Sequence, residues 1–281
     1  MDLSNENVIH VKKDEVEYLQ FKKLLEYDNI ITHAYTLGTN MNFRTARANK
    51  MSMAEDEFNK AIKNYKQVCN VLNTDYTHIV KTNQEHTKNI AVISKKINKD
   101  KPDLNLDEYA STDGLITNKP NLMLSTTNAD CILILFFDHV KKVIANIHSG
   151  WKGTLQEISV AAVDKMIEEY SCNPQDIICC ICPSIRKCHF EVEEDVKQMF
   201  YDRFKKLKQI DEIIEHKKNQ KKWNIDTILI NKIILQNRGL KPENIIDSGI
   251  CSVCNSNLIH SYRVEKEGYG LATALIELKR E

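Results

Sequence analysis

The sequence has no excess of either charge. Lysine and arginine number 39, aspartate and glutamate 39, and the formal net charge is zero. That balance lacks the basic footprint of a nucleic-acid binder and the acidic tail of a solvating protein, so no nucleic-acid partner is expected. No stretch reaches the roughly 18 apolar residues of a spanning helix, so no membrane partner is expected either. The opening MDLSNENVIHVKKDEVEYLQ lacks the apolar core of a secretory signal. No repeat, low-complexity tract or linker stands out, and residues 1–281 are expected to form one domain, with 1–28 as an N-terminal extension. Nine cysteines without a signal point to a reducing, cytoplasmic setting, with free thiols or metal ligands rather than a disulfide framework. What is present, 42% hydrophobic and 28% charged residues, is ordinary globular composition in a chain long enough for a sizeable core.

Two hydrophobic periods alternate along the chain. IITHAYTLG, HIVKTNQEH, IAVIS, GLITN, KKVIANIHSG and residues 176–183 read as strands. NLMLSTTNADCILILFFD reads as strands interrupted at 127–130. Helical spacing marks AEDEFNKAIKNYKQVCNVL, TLQEISVAAVDKMIEEYS and EEDVKQMFYDRF. KWNIDTILINKIILQNRG begins as a strand and becomes a helix closed by Gly239. The first segment, to about Asp28, reads as a short strand or hairpin followed by a helix, EVEYLQFKKLLEY, and CSVCNSNLIHSYRVEKEG reads as ending in strands. The mixture predicts an α/β fold, a layered sandwich of mixed β-sheets flanked by helices. Cys179, Cys180 and Cys182 read as small hydrophobes in a buried strand.

Polar residues in apolar settings mark the candidate chemistry. His86 follows a strand in TNQEHTKNI. Asp130 and Cys131 stand at the mouth of an apolar strand, where an acid is expensive unless paired or functional. His148 ends the run VIANI in front of a tight turn. Two imidazoles and a thiolate are a set that holds zinc and leaves a fourth position open; zinc lowers the pKa of a bound water to about 7. Each residue alone reads as packing, and spacing alone does not make the three a metal site. The CxxC of Cys251 and Cys254 is weak support for zinc by itself, and is read as packing.

At these residues the chain resembles the YfiH/laccase-domain family, described as multicopper polyphenol oxidases and as purine nucleoside phosphorylases. Six segments match in order: ITHAYTLGTNMNF, KTNQEHTKNI, DGLITNKPNLMLSTTNADCILILFFD, ANIHSGWKGTL, CPSIRKCHFEVEEDV and HSYRVEKEGYGLATALIEL. The resemblance implies His86, Cys131 and His148 as metal ligands. It implies Cys131 and His148 as catalytic, with Asp130 and Arg263 beside them. Arg263, Arg47 and Lys152 are candidate anion-binding groups, and Asn42 and Ser261 candidate substrate contacts. Five positions depart from the family pattern. Cys182 stands for glycine, Lys152 for arginine, Ile132 and Leu133 for a residue–proline pair, and Leu271 for a closing arginine.

The resemblance further implies a zinc-dependent enzyme acting on a purine nucleoside and phosphate, with no protein partner. The reactions would be phosphorolysis of adenosine, inosine or methylthioadenosine, and deamination of adenosine. Two alternatives stay open. One is a copper-dependent, laccase-like polyphenol oxidase. The other is a Cys–His hydrolase acting on peptidoglycan precursors.

Overall fold

Strand Ile132–Asp138 is buried at all seven positions. Leu133, Leu135 and Phe137 join one core cluster, and Ile132, Ile134 and Phe136 another. An apolar run sorted by period two is what a strand covered on both faces requires. The covering layers follow from the computed structural model, which describes residues 1–45, 55–94, 103–104, 109–217 and 221–280.

Two mixed sheets lie face to face. The seven-stranded sheet runs in the order Val8–Lys13, Val16–Phe21, Ile31–Leu37, Ala272–Leu278, Met123–Asn128, Ile79–Lys81, Asp103–Leu104. Its first five strands are antiparallel and the last two join in parallel. The six-stranded sheet runs Ile245–Asp247, Ile177–Ile181, Ile132–Asp138, Val143–Ser149, Gly114–Thr117, Ile90–Val92. Its outer pairings are parallel and its inner ones antiparallel. Tyr35, Leu124 and Ile276 from one sheet and Leu115, Leu135 and Ile144 from the other share the core between them.

Helices cover the outer faces. Helix Glu55–Val71 places Tyr65, Val68 and Cys69 in one cluster with Met123 and Leu275 of the seven-stranded sheet. Helices Ile158–Tyr170 and Thr227–Asn237 bring Ile158, Ala162, Met166, Ile228 and Leu235 to the six-stranded sheet. The expected layered α/β sandwich is therefore the observed one. A small third sheet, Glu191–Val192, Trp223–Ile225 and Ile214–His216, packs with helix Glu194–Phe204 around Phe190, Phe200 and Phe204.

One polar residue bridges the apolar space between the large sheets. Asn146 is fully buried, on the same strand face as Ile144 and His148. Its amide donates to the carbonyls of Leu124 and Ala274 at 2.9 and 2.8 Å, and its Oδ1 accepts from Thr126 Oγ1 at 2.5 Å. All three partners belong to the opposite sheet. A buried polar group left without its partner costs about 1–3 kcal/mol, so these bonds favour one relative placement of the sheets.

Three elements differ from the sequence reading. EVEYLQF is not a helix: Val16–Phe21 pairs antiparallel with Val8–Lys13, and only one turn, Lys22–Leu25, is helical. Val16, Tyr18, Leu19 and Phe21 are buried there, a pattern that also fits helical spacing, and the hairpin partner decides it. CSVCNSNLIHSYRVEKEG forms no strand. Its backbone bonds locally, Asn255 N–H to Cys251 O and Ile259 N–H to Asn255 O, before the one-turn helix Tyr262–Glu265. The helix after His148 is two, Trp151–Leu155 and Ile158–Tyr170, parted at Glu157 with φ +56°. The interruption at 127–130 has a clear cause. There the chain leaves the seven-stranded sheet at Asn128 and enters the six-stranded sheet at Ile132, turning through Asp130 at φ +82°.

Candidate active site

The site is assembled around Asp113, a buried carboxylate just before strand Gly114–Thr117. Its oxygens accept the backbone N–H groups of Glu85, His86 and Thr87 at 3.2, 3.0 and 2.7 Å, and the Thr87 hydroxyl at 2.8 Å. Oδ1 also meets His148 Nδ1 at 2.8 Å. The Asp113 carbonyl accepts the His148 N–H at 2.7 Å. Burial would raise this carboxyl, but the His148 ring and the Thr87 donors outweigh it and hold it below the usual range. One side chain thus fixes a loop at one ligand and the ring of another. The loop carries strain, with His86 at φ +60°, and three charge-assisted bonds are a sufficient restraint. Gln84 adds a clasp, with Oε1 accepting the Thr127 N–H at 2.8 Å and Nε2 donating to the Thr127 carbonyl at 2.7 Å.

His86, Cys131 and His148 converge as expected, with their donor atoms all within 4.8 Å of one another. His86 Nε2 lies 3.8 Å from Cys131 Sγ, and the two rings meet edge to face at 4.9 Å. Cys131 sits on the crossing between the sheets, and His148 near the end of the facing strand. Burial opposes charge on both Cys131 and His148. Each overcomes it through the other, so the thiol is held below its ordinary value, with help from His86, and the imidazole above its own, with help from Asp113. Such a thiolate beside two imidazoles is a donor set for a borderline-soft divalent metal. With Nδ1 of His148 engaged by Asp113, Nε2 is its free donor. Gly150 makes the space: a Cβ there would lie 2.6 Å from His86 Cδ2 and 3.2 Å from Cys131 Sγ. Its φ of −62° is ordinary, so glycine is required by crowding and not by backbone angle. The three residues fit a metal ion.

The donors face a cavity of about 880 Å³, within the size range of small-molecule sites. Its walls mix apolar faces, Ile132, Ile185, Phe190, Tyr262 and Tyr269, with the cations Arg44, Lys81, Arg263 and Lys266. Arg263 lies there as expected, its guanidinium nitrogens 3.3 and 3.5 Å from the Glu191 carbonyl. Asp130 also borders the cavity, with its oxygens engaged by the Ser252 hydroxyl at 2.6 Å and the Arg263 N–H at 2.7 Å. Leu271 borders it too. The others fall elsewhere. Asn42 is outside the lining, and its Oδ1 accepts the N–H groups of Arg44 and Leu271. Lys152 is exposed, over the Trp151 ring at 5.5 Å. Ser261 is fully buried outside the lining, its Oγ without a hydrogen-bond partner. Arg47 lies outside the described residues.

Sequence reasoning passed over Asp113, Gln84, Arg44 and Lys81. Asp113 and Gln84 did stand inside matched segments, DGLIT and KTNQEH. Arg44 stacks on Tyr269, 4.1 Å from the ring centre, and donates Nη2 to the Tyr269 carbonyl at 2.6 Å. Lys81 ends strand Ile79–Lys81 and is only 5% exposed; burial pushes its ammonium down to about 8.

A sequence model of the family described as "Multi-copper polyphenol oxidoreductase laccase" matches residues 37–279. The chain belongs to this family. A relative from Bacillus subtilis, named purine nucleoside phosphorylase YlmD, is 28% identical over 78% of this chain and 77% of its own length. A mouse relative, named purine nucleoside phosphorylase LACC1, is 27% identical over 77% of this chain, and the match spans only 47% of that protein. A relative from an unknown prokaryotic organism, named adenosine deaminase RL5, is 28% identical over 68% of this chain and 72% of its own. Among solved structures, the hypothetical protein YfiH of Bacillus licheniformis superposes with a TM-score of 0.79 at 25% identity, covering 96% of this chain and 99% of that one. The resemblance read from the six ordered segments is borne out. Among the described residues, no helix is long and apolar enough to cross a membrane.

Two outcomes follow from this geometry. Asp113→Asn keeps the shape but offers one acceptor where two are used, and should weaken metal binding by about 10- to 100-fold. Unchanged affinity in a metal titration would show that Asp113 does not orient the ligands. Lys81 is expected to cost stability while protonated. The unfolded chain keeps the ammonium value near 10.5 against about 8 when folded. Between those values the unfolded state holds more protons, so stability rises with pH across that window. Lys81→Met should raise the denaturation midpoint at neutral pH and flatten that rise; a lower midpoint would mean the ammonium is well paired.

Proposed function

We propose that this protein is a zinc-dependent purine nucleoside enzyme. It phosphorolyses adenosine, inosine or methylthioadenosine to the free base and a ribose 1-phosphate, and deaminates adenosine. The observation that carries the reading is the convergence of His86, Cys131 and His148 on one cavity whose walls supply both apolar faces and cations. The names of the relatives support the same two reactions.

His86 Nε2, Cys131 Sγ and His148 Nε2 hold the metal. When bound, it supplies Lewis acidity toward a water or a substrate oxygen. The remaining steps belong to the chain. Phe190, Tyr262 and Tyr269 receive the flat purine and exclude water from it. Arg44, Arg263 and the titratable Lys81 compensate the charge of phosphate. Arg263 is held from behind, its N–H on Asp130 and its guanidinium on the Glu191 carbonyl; Asp130 is thus a positioning residue. In phosphorolysis a phosphate oxygen bonds to C1′ as the bond to purine N9 breaks, and the base takes up a proton. In deamination water adds at C6 and ammonia departs. The loss of the family's closing arginine at Leu271 is offset by Arg44, which reaches the same cavity.

One observation favours a second reading. The Cys131 thiol is held low by His148, which also suits a nucleophilic cysteine acting in hydrolysis. The test is product analysis on protein of measured metal content, incubated with adenosine with and without phosphate. Adenine with ribose 1-phosphate only when phosphate is present, or inosine in either case, is the expected outcome, lost on chelation and in Cys131→Ala. Turnover that survives complete metal removal would favour the cysteine nucleophile, and unchanged adenosine with the metal bound would overturn the nucleoside reading.

A further inference from the structure

A second set of metal-binding side chains lies outside the catalytic three. The CxxC that the sequence reading assigned to packing does not stand alone in the fold. Cys251 and Cys254 meet Cys188 and His189, from the turn after strand Ile177–Ile181, and the four donor atoms lie within 4.8 Å of one another. We infer that Cys188 Sγ, His189 Nδ1, Cys251 Sγ and Cys254 Sγ form a structural zinc site.

The spacings argue for a tetrahedral ion. With zinc–sulfur bonds of about 2.3 Å and zinc–nitrogen bonds of about 2.0–2.1 Å, the edges of a regular tetrahedron are about 3.8 Å between sulfurs and about 3.6 Å from sulfur to nitrogen. Cys188 Sγ lies 3.6 Å from Cys251 Sγ and 4.0 Å from Cys254 Sγ. His189 Nδ1 lies 3.1, 3.6 and 3.6 Å from the sulfurs of Cys188, Cys251 and Cys254. These sulfur separations are well beyond the roughly 2.05 Å of a disulfide. Three thiolates and one imidazole make a closed set with no position left for a substrate, the type used to fix structure. Hydrophobic packing does not account for the cluster either, because Cys188 and Cys254 are exposed.

The surrounding backbone is arranged to present these donors. His189 N–H and Phe190 N–H both donate to the Arg186 carbonyl, and Arg186 is fixed by a two-pronged pair with Asp247 at 2.8 Å. The Asn255 amide and backbone N–H cap the Cys251 carbonyl. Ser184 and Cys251 form a parallel bridge that joins the two contributing segments. Zinc here would tie the turn leading to Phe190 and Glu191, on the cavity wall, to the segment carrying Ser252, whose hydroxyl holds Asp130. The site would brace the cavity without touching substrate.

The proposal is independent of the catalysed reaction, and its test is a metal count. Protein purified from zinc-supplemented cells should carry two equivalents of zinc, and Cys131→Ala one. Cys131→Ala combined with His189→Ala should carry none, and Cys131→Ala with His189→Cys should keep one, since four thiolates also bind zinc. In Cys131→Ala, a strong chelator should lower the thermal midpoint by several degrees. A retained equivalent in the His189→Ala combination, or no zinc in Cys131→Ala, would overturn the assignment. So would two thiols missing from a titration of the denatured, unreduced chain, which would place a disulfide there.

Discussion

The structure depends on one buried carboxylate that is held by several donors at once. Asp113 gathers three consecutive backbone N–H groups and a hydroxyl from the 85–87 loop, and on the same oxygens receives the His148 ring. A fully buried charge is tolerated only when its partners are in place. The loop must therefore take the conformation that points His86 inward, including a backbone angle that most residues avoid. The same bond selects the free nitrogen of His148. What His86 and His148 inherit from Asp113 is preorganisation, the property that separates a binding site from residues that merely happen to be close.

The two-sheet sandwich explains why such a site can exist in an otherwise apolar interior. The space between the sheets is filled by Leu, Ile and Phe, and toward one end by Asn146 and His148 on a single strand face. The chain crosses from one sheet to the other at residues 129–131, where backbone pairing lapses and polar side chains can be accommodated. Cys131 is on that crossing, opposite the end of the strand carrying His148. Asp130 accepts from Ser252 and Arg263 and ties the crossing to the far wall. The cavity thus has a rigid floor made of strand ends and walls made of loops braced from behind.

Much of this was legible in the residues. The long apolar runs gave the doubly covered strands, and the break at 127–130 marked the change of sheet, although the sequence showed only an interruption. His86, Cys131 and His148 were picked out as polar groups in apolar settings, and the family resemblance, not their spacing, made them a set. The misses have a common physical origin. Val16–Phe21 looks helical until its hairpin partner is known. Asp113, Arg44 and Lys81 owe their significance to groups distant in the chain, Asn42 looks available until its bonds to Arg44 and Leu271 are drawn, and Lys152 proves to lie outside the cavity lining. The CxxC at Cys251 finds its companions, Cys188 and His189, about sixty residues earlier, brought beside it where Ser184 bridges Cys251.

The family's description speaks of several coppers, whereas the cavity gathers a single thiolate with two imidazoles. Thiolate and imidazole accept either zinc or copper, so the identity of the ion separates the nucleoside reading from the oxidase one. The most direct measurement is a crystal structure of the active protein with diffraction recorded on both sides of the zinc and copper absorption edges. The account predicts an anomalous peak at the zinc edge between His86, Cys131 and His148, with its open side toward the cavity. An active crystal with copper in that position, or with no ion between those three side chains, would contradict it.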